Sequence, residues 1–294
     1  MTLPKRPVLK ARPAVAPSPE RITLETLRHM RSRAEPIAML TCYDYSSARI
    51  LAGAGIHILL VGDSAAMTVL GENSTIHATM DFMLTITRAV RLGAPKAFVL
   101  ADMPFASYAT PDTAVANAAR LLTQGQADAV KLECDASHAP VIAAMHAAGI
   151  PTCAHLGLLP QRATQNGGYK AQGRSTPDAD RIVDLATTLW RAGADMLLLE
   201  AVPDAVSSRV VDATDCPVLG CGAGPSCHGH VVVLHDLLGF TDKPPRFVEK
   251  MADVPAVIFQ AVERYVNAVK NRQYPLPRHG YTMKEQGSSA ASDR

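Results

Sequence analysis

The stretch HILLVGDS, residues 57–64, runs from an apolar segment directly into a glycine and a carboxylate. One such ending needs no special explanation, because aspartate is common in turns. The same ending recurs, however: Asp102 closes the run AFVLAD, Glu133 closes AVKLE, and Glu200 follows MLLL. His155 takes the corresponding place in PTCAHLG. Turn chemistry explains one or two of these endings but not all of them, so the pattern indicates that polar groups are collected at the ends of several strands.

Eight apolar runs are separated, for the most part, by helical stretches. The runs are continuous rather than alternating, which predicts strands buried on both faces of a parallel sheet. Eight strand–helix repeats in one chain predict a closed (β/α)8 TIM barrel. A doubly wound open sheet is the alternative, but no G-x-G-x-x-G follows the first strand. The predicted strands cover residues 37–44, 57–63, 97–103, 129–133, 151–157, 196–202, 217–224 and 231–236.

The predicted barrel domain spans residues 22–272 and opens with a helix. Thr23 is its expected N-cap, and Ile22 and Leu27 stand at the positions of a hydrophobic staple. Residues 1–21 are basic and rich in proline, which predicts a flexible N-terminal arm. Residues 273–294 predict a polar C-terminal tail.

Charge and composition exclude several classes of partner. The chain has 29 basic and 27 acidic residues, a balance that gives no reason to expect nucleic acid or membrane binding. No apolar run reaches the roughly 18 residues that a membrane-spanning helix needs. The six cysteines form no CxxC pair and lie mostly in apolar runs, which is typical of reduced thiols in a cytoplasmic protein.

The carboxyl ends of all strands in a parallel barrel lie on one face, where the active site is found. Asp63, Asp102 and Glu133 come from adjacent predicted strands, and close carboxylates need a cation or shared protons. Hard oxygen ligands favour Mg²⁺ over zinc, and such an ion suits a chelating substrate such as a 2-oxo acid. The alternative for Glu133 is an ion pair with Lys131, two positions away on the same strand.

The remaining polar strand ends allow more than one interpretation. Glu200 lies among apolar residues, which favours a general base, although a capping or ion-pair role is the alternative. His155 is either an active-site group or a hydrogen-bonded core histidine. The glycine-rich segment GCGAG, residues 220–224, predicts either a tight turn or a phosphate-binding loop.

An ordered set of short motifs resembles a known family. TCYDYSSA, LVGDS followed by MTVLG, LADMPF, YATP, VKLE, HLGLLPQ, GGYKAQGR, LLLEAVP and GAG occur in this order between residues 22 and 272. Together they resemble the ketopantoate hydroxymethyltransferase family. The resemblance implies a (β/α)8 barrel, bound Mg²⁺ and a homodecamer. It also implies transfer of a hydroxymethyl group from 5,10-methylenetetrahydrofolate to 3-methyl-2-oxobutanoate, which gives 2-dehydropantoate in pantothenate biosynthesis.

The resemblance also assigns roles to the strand-end residues. The catalytic positions are Glu200, as the base, and His155. The substrate-binding positions are Asp63, Ser64, Asp102 and Lys131. The metal-binding positions are Asp63, Asp102 and Glu133.

The sequence departs from the family pattern at seven positions, all expected in loops near the active face. They are Ala65, Ala66, Asn73, Cys134, Asp135, His228 and His230. Histidine titrates near neutrality, so the last two predict an added pH dependence of activity between about pH 6 and 7.5. The departures leave open a divergent paralogue that acts as an aldolase or lyase on another 2-oxo acid, or a non-catalytic 2-oxo acid-binding protein. In a class I aldolase, Lys131 would be the Schiff-base nucleophile.

Overall fold

A computed structural model of the chain describes residues 20–164 and 167–283. Most of the predicted arm, residues 1–19, and half of the predicted tail, residues 284–294, lie outside this part of the chain. The described residues divide into two compact units, with the division between Leu234 and His235. The predicted barrel range, 22–272, crosses this division.

Eight parallel strands form a closed barrel in the first unit, which confirms the predicted (β/α)8 fold. Each strand pairs with the next in sequence, and the last pairs with the first, so no edge is left open. The strands are β1 (Ile37–Thr41), β2 (Ile58–Val61), β3 (Phe98–Asp102), β4 (Ala129–Glu133), β5 (Thr152–Gly157), β6 (Met196–Glu200), β7 (Val218–Cys221) and β8 (Gly229–Val232). Seven of the predicted strands extend past the carboxyl end of the observed strand or begin before it, because apolar residues continue into the loops.

Helices follow most of the strands. They are α1 (Leu24–Ser32), α2 (Tyr45–Gly53), α3 (Ala65–Thr68), α4 (Met80–Gly93), α5 (Pro111–Thr123), α6 (Ala139–Ala147), α7 (Thr176–Arg191), α8 (Asp204–Ala213), α9 (Leu234–Leu237) and α10 (Val254–Lys270). Thr23 caps α1 as predicted, with its side chain accepting from the backbone N–H of Thr26. No helix in the described ranges is both long enough and apolar enough to span a membrane.

The barrel interior explains why polar residues at strand ends meet. Alternate residues of each strand fill one buried apolar cluster, for example Phe98 and Leu100 of β3 or Met196 and Leu198 of β6. Because side chains alternate along a strand, the next residue on the inward face of β3 is Asp102 and that of β6 is Glu200. The site residues therefore form the layer directly above the apolar core, at the carboxyl ends of the strands. We call this end of the barrel the mouth.

Helix α1 closes the opposite end of the barrel. Its flanking and buried residues Ile22, Leu27 and Met30 belong to the same apolar cluster as the barrel interior. Three arginines, in or just before α1, pair with carboxylates that lie one to three residues before strands β4, β6 and β7. The pairs are Arg21–Asp128, Arg28–Asp195 and Arg31–Asp215. The predicted staple residues thus anchor a helix that seals the amino-terminal face of the barrel.

The prediction that His228 and His230 lie near the mouth is wrong. The backbone N–H of Val218, the first residue of β7, donates to Nδ1 of His228 at 3.0 Å. The carbonyl of His228 accepts from Ile37, the first residue of β1. Strand β8 already begins at Gly229, so the segment after β7 returns the chain to the amino-terminal face before these histidines. Burial lowers the pKa of both imidazoles, which removes the basis for the predicted pH dependence at the site.

Gly157, the last residue of β5, allows the mouth to close tightly. It has φ +92°, and a Cβ at this position would lie 2.3 Å from the carbonyl oxygen of Glu200. We therefore expect Gly157→Ala to lower the free energy of unfolding by about 3 kcal/mol, through positive-φ strain and overpacking. Gly149→Ala is the control, because Gly149 also has positive φ but open space around it. Urea unfolding should show a loss near 1 kcal/mol for the control. Equal losses for both variants would contradict the steric explanation.

Candidate active site

The structure brings six of the predicted residues to one end of the barrel. Register partners on neighbouring strands place them side by side: Asp102 lies beside Lys131, Glu133 beside His155, and Gly157 beside Glu200. Asp63 follows β2 after Gly62. Every one of the titratable side chains except that of Glu200 is at least nine-tenths shielded from solvent. Because these side chains are buried and close together, their charges strongly affect one another's pKa values.

Lys131 neutralises the carboxylates at the mouth. Its Nζ lies 2.9 Å from Oδ1 of Asp102, an ion-pair distance, although the contact lacks the angle of a directed hydrogen bond. Burial alone opposes the ammonium, but the charges of Asp102 and Asp63 outweigh it and raise the pKa of Lys131 well above its ordinary value. The partner of Lys131 is thus on the neighbouring strand, and the alternative pairing with Glu133 is not the contact formed.

The other two carboxylates hold protons more readily than usual. Burial, reinforced by the charge of Asp102, raises the pKa of Asp63 to about 7. Burial and the charge of Asp63 raise the pKa of Glu133 to about 8. Three acids share one ammonium in a buried space, so the site carries an excess of negative charge whenever all three ionise. A positively charged ligand would relieve this repulsion.

His155 and Glu200 form the second half of the site. Nε2 of His155 lies 3.2 Å from Oε2 of Glu200, and neither imidazole nitrogen has an aligned hydrogen-bond partner among the described residues. Burial, followed by the charge of Lys131, lowers the pKa of His155, so the ring is neutral near pH 7. The alternative of a hydrogen-bonded core histidine is not what the contacts show. A buried imidazole whose only close polar contact among the described side chains is with Glu200 can still form a hydrogen bond with a ligand.

Ser64 is held by a residue that the strand-end analysis did not select. The hydroxyl of Tyr43 lies 2.8 Å from Oγ of Ser64. Tyr43 is buried, and burial raises the pKa of its phenol to about 12, so it remains a neutral hydrogen-bonding group. Tyr43 lies in the motif TCYDYSSA, and membership of that motif is the feature of the sequence that could have identified it as a site residue.

Gln161 and Tyr108 are the other contacts that sequence reasoning missed. The side chain of Gln161 donates to Asp63, and its backbone N–H donates to both oxygens of Glu133. Tyr108 in turn donates to the side-chain oxygen of Gln161. Both residues stand in the motifs HLGLLPQ and YATP, yet neither lies at a strand end. Only the folded loops after β3 and β5 bring them to the carboxylates.

The residues present fit a divalent cation through two carboxylates better than through three. No group of three histidine, cysteine, aspartate or glutamate side chains within residues 20–164 and 167–283 is arranged to hold a metal. The oxygens of Glu133 already accept from Gln161. By contrast, the buried Oδ1 of Asp102 has an ion-pair contact with Lys131 but no aligned hydrogen-bond donor among the described residues, and Asp63 lies beside it. A buried carboxylate oxygen that lacks an aligned hydrogen-bond donor and lies next to a second acid is a reasonable cation ligand.

Four of the other departures from the family pattern directly follow the mouth ends of β2 and β4. The fifth, Asn73, is an exposed loop residue. Ala65 and Ala66 are fully buried at the start of α3, directly after Asp63 and Ser64. Cys134 is buried, and Asp135 caps the short turn Ala136–His138.

Asp135 also pairs with Arg162, which directly follows Gln161 in sequence. This carboxylate therefore braces the turn Pro160–Arg162, which carries Gln161. Burial disfavours the charged form, but hydrogen bonds from Ser137 and Arg162 outweigh it and hold the pKa of Asp135 well below its ordinary value. The folded pKa lies below the unfolded value of about 4, so the stabilisation is present above pH 4 and lost as the pH falls further.

We expect Asp135→Asn to lower the free energy of unfolding at pH 7 by about 1 kcal/mol, a value discounted for the partial exposure of this side chain. The deficit should narrow below pH 4, where the wild-type carboxylate loses its advantage. Urea unfolding at pH 7 and pH 3.5 measures both values, with Asp184→Asn on the exposed face of α7 as a control within about 0.5 kcal/mol of wild type. The same deficit at both pH values would rule out the charge as its cause.

The glycine-rich segment after β7 forms a tight turn rather than a phosphate-binding loop. Oδ1 of Asp204 accepts from the backbone N–H of Ser226 at 2.9 Å. A Cβ at Gly224 would lie only 2.4 Å from Asp204, so the glycine is needed for this close approach. A protein carboxylate therefore occupies the place where a phosphate would need backbone donors.

By sequence, the chain matches one family model and curated relatives that share one name. The family model described as ketopantoate hydroxymethyltransferase matches residues 21–277. A 3-methyl-2-oxobutanoate hydroxymethyltransferase from Nitrosococcus oceani is 47% identical over 257 residues, which cover 87% of this chain and 97% of that protein. One of the same name from Geobacillus kaustophilus is 44% identical, with 88% and 93% covered.

Solved structures with the same fold are more distant in sequence. A 2,3-dimethylmalate lyase of the PEP mutase/isocitrate lyase superfamily is 17% identical, with a TM-score of 0.55 and coverage of 92% of this chain and 91% of that chain. A phosphonopyruvate hydrolase solved with oxalate and Mg²⁺ is 13% identical, with a TM-score of 0.59 and coverage of 88% and 91%. At these identities the likeness supports the barrel fold alone.

Proposed function

The chain belongs to the ketopantoate hydroxymethyltransferase family and is an enzyme that transfers a hydroxymethyl group, and we propose that its donor is 5,10-methylenetetrahydrofolate and that its chemistry needs Mg²⁺. The acceptor in this proposal is 3-methyl-2-oxobutanoate, and the product is 2-dehydropantoate of pantothenate biosynthesis. The observation that carries the proposal is the pairing, at one barrel mouth, of a carboxylate cluster around Lys131 with Glu200 beside a neutral His155.

Each side of the site has a separate task in this reaction. The acidic side, with Lys131, would bind and orient the carboxylate and keto oxygen of the 2-oxo acid. On the other side, Glu200 would remove the proton from C3 of the substrate as general base. His155 is neutral and can donate one hydrogen bond while it lies against Glu200. The carbanion equivalent formed at C3 then attacks the one-carbon unit of the donor. The carbon–nitrogen bonds to the folate break, water supplies the hydroxyl oxygen of the product, and tetrahydrofolate leaves.

Asp63 and Asp102 would hold the divalent cation. Glu133 would not bind the ion directly but would add negative charge near it. When bound, the ion would supply positive charge that favours the enolate form of the substrate. Lys131 would balance the carboxylates that the ion leaves uncompensated. Ser64, fixed by Tyr43, would offer a hydroxyl to the substrate from the adjacent loop.

The Schiff-base alternative finds little support in the surroundings of Lys131. A Schiff-base lysine must lose its proton to act as a nucleophile. Here the neighbouring carboxylates raise the pKa of Lys131, which stabilises the ammonium instead. An aldolase that works through this amine would need the opposite environment.

The product assay and a chelator together test the proposal. With 3-methyl-2-oxobutanoate and 5,10-methylenetetrahydrofolate, we expect 2-dehydropantoate to form. The rate should fall at least a hundredfold after treatment with EDTA and return on addition of Mg²⁺, because the buried acids then lack a counterion. Borohydride with the 2-oxo acid should leave no covalent adduct.

Two outcomes would overturn parts of this proposal. Binding of the 2-oxo acid without product under any metal condition would favour the non-catalytic alternative. Full activity in EDTA, together with trapping by borohydride, would favour the aldolase. The homodecamer implied by the family resemblance stays a prediction, which the mass of the purified protein in solution can test.

A further inference from the structure

Gln161 is placed to control how the acidic side of the mouth meets its ligand. We propose that Gln161, locked in one orientation by Tyr108, is a positioning residue that presents one oxygen of Asp63 to a bound cation. This inference rests on the proposed function, because it concerns the same site. It adds a residue that lies at no strand end and that touches no reacting atom.

One residue holds the carboxylates on two sides. Nε2 of Gln161 donates to Oδ2 of Asp63 at 2.8 Å and to the carbonyl of Met103 at 3.0 Å. The backbone N–H of Gln161 donates to the two oxygens of Glu133 at 3.0 and 3.2 Å. The side chain is buried, so water does not compete for these bonds. Asp63 and Glu133 are therefore fixed relative to each other through a single short turn.

The amide of Gln161 has only one favourable orientation. A glutamine amide can rotate so that its oxygen and nitrogen exchange places. Here the oxygen of Asp63 and the carbonyl of Met103 are both acceptors, so the rotated amide would set its oxygen against two others. Tyr108 provides the matching donor on the far side, with its hydroxyl 2.5 Å from Oε1 of Gln161. Tyr108 thus specifies which end of the amide faces Asp63.

One carboxylate oxygen of each aspartate, Asp63 and Asp102, accepts a hydrogen bond that fixes its position. Oδ2 of Asp63 accepts from Gln161, and Oδ2 of Asp102 accepts from the backbone N–H of Asp63 at 3.1 Å. In Asp63 this leaves Oδ1 clear of Gln161, whereas Oδ1 of Asp102 faces Nζ of Lys131 at 2.9 Å. A carboxylate held in this way offers a cation a single oxygen in a fixed direction, which costs less ordering on binding than a freely rotating one.

Mn²⁺ titration without substrate tests the proposal, with the free ion followed by electron paramagnetic resonance. Removal of a hydrogen bond to a charged group in Gln161→Met should weaken Mn²⁺ binding about tenfold. The substitution keeps the backbone N–H that serves Glu133. Gln124→Met, at an exposed helix end on α5, is the matched control and should bind as wild type does. Thermal unfolding without metal checks that both variants fold.

The second arm asks whether Tyr108 acts through Gln161. Tyr108→Phe should weaken Mn²⁺ binding about threefold in the wild-type background, because the amide of Gln161 loses the hydrogen bond that fixes its orientation. The same change should have no further effect in Gln161→Met, since nothing remains to orient. A merely structural role would lower affinity by the same factor in both backgrounds. Equal factors, or binding by Gln161→Met within twofold of wild type, would overturn the proposal.

The titration separates this inference from the proposed function. Wild-type protein that binds Mn²⁺ with the expected coupling but makes no product would remove the transferase proposal and leave the role of Gln161 intact. If the wild-type protein makes product and Gln161→Met binds Mn²⁺ as wild type does, the transferase proposal stands and the proposed role of Gln161 is wrong.

Discussion

Glu200→Gln should slow exchange of the C3 proton of 3-methyl-2-oxobutanoate by about a thousandfold, the middle of the range for loss of a general base. The amide keeps the shape of the side chain and can still face His155, which lies 3.2 Å from the carboxylate. What it loses is the ability to accept the proton. Proton NMR in D₂O, with protein and metal but without the folate donor, follows this step alone.

A matched control isolates the role of the charge at this position. Glu72 is an exposed carboxylate in the loop after α3, and Glu72→Gln should exchange the proton at the wild-type rate. The unfolding transition of Glu200→Gln should stay close to that of wild type, because the side chain is only partly buried. Exchange at the wild-type rate by the folded variant would show that another group is the base.

Lys131→Met should lower the free energy of unfolding by about 3–5 kcal/mol at pH 8, the cost of breaking a buried ion pair on one side. The variant leaves Asp102, Asp63 and Glu133 without their ammonium in a buried space. The loss should shrink toward pH 5, because the pKa values of Asp63 and Glu133 are already raised and these acids then take up protons. Urea unfolding across this range gives the measurement.

A second substitution tells charge from packing. Asp102→Asn in the Lys131→Met background removes one of the stranded carboxylates, so the double variant should recover part of the lost stability. Substrate binding should not recover, since the ammonium proposed to bind the 2-oxo acid is still absent. If the double variant is as unstable as the sum of the two single variants, the loss comes from packing rather than from uncompensated charge.

The sequence alone was sufficient for the residues whose place follows from strand periodicity. Asp102, Lys131, His155 and Glu200 stand on the inward face of their strands, one step beyond the apolar core, and this position can be counted along the chain. Gln161 could not be found in this way, because its contacts depend on how two loops fold over the mouth.

The misplaced histidines show the limit of reading strands from apolar runs. Strand β8 begins at Gly229 and includes His230, neither of which is apolar, so its start was predicted two residues too late. That shift moved the preceding loop, with His228, from one face of the barrel to the other. Glycine and histidine at the amino-terminal end of a short strand give no hydrophobic signal, although the backbone pairs normally with β1.

The seal that α1 forms at the amino-terminal face makes this chain well suited to attachment on a solid support. The exposed side of α1, for example at Glu25, faces away from the barrel interior, while Glu200, the proposed base, lies at the other end of the barrel. All six cysteines are buried or half-buried, so a thiol introduced by Glu25→Cys would be the most accessible one for coupling. A catalyst tethered there would present its mouth to the flowing solution, whereas a tether at the exposed Phe105, just beyond β3, would press the same mouth against the support.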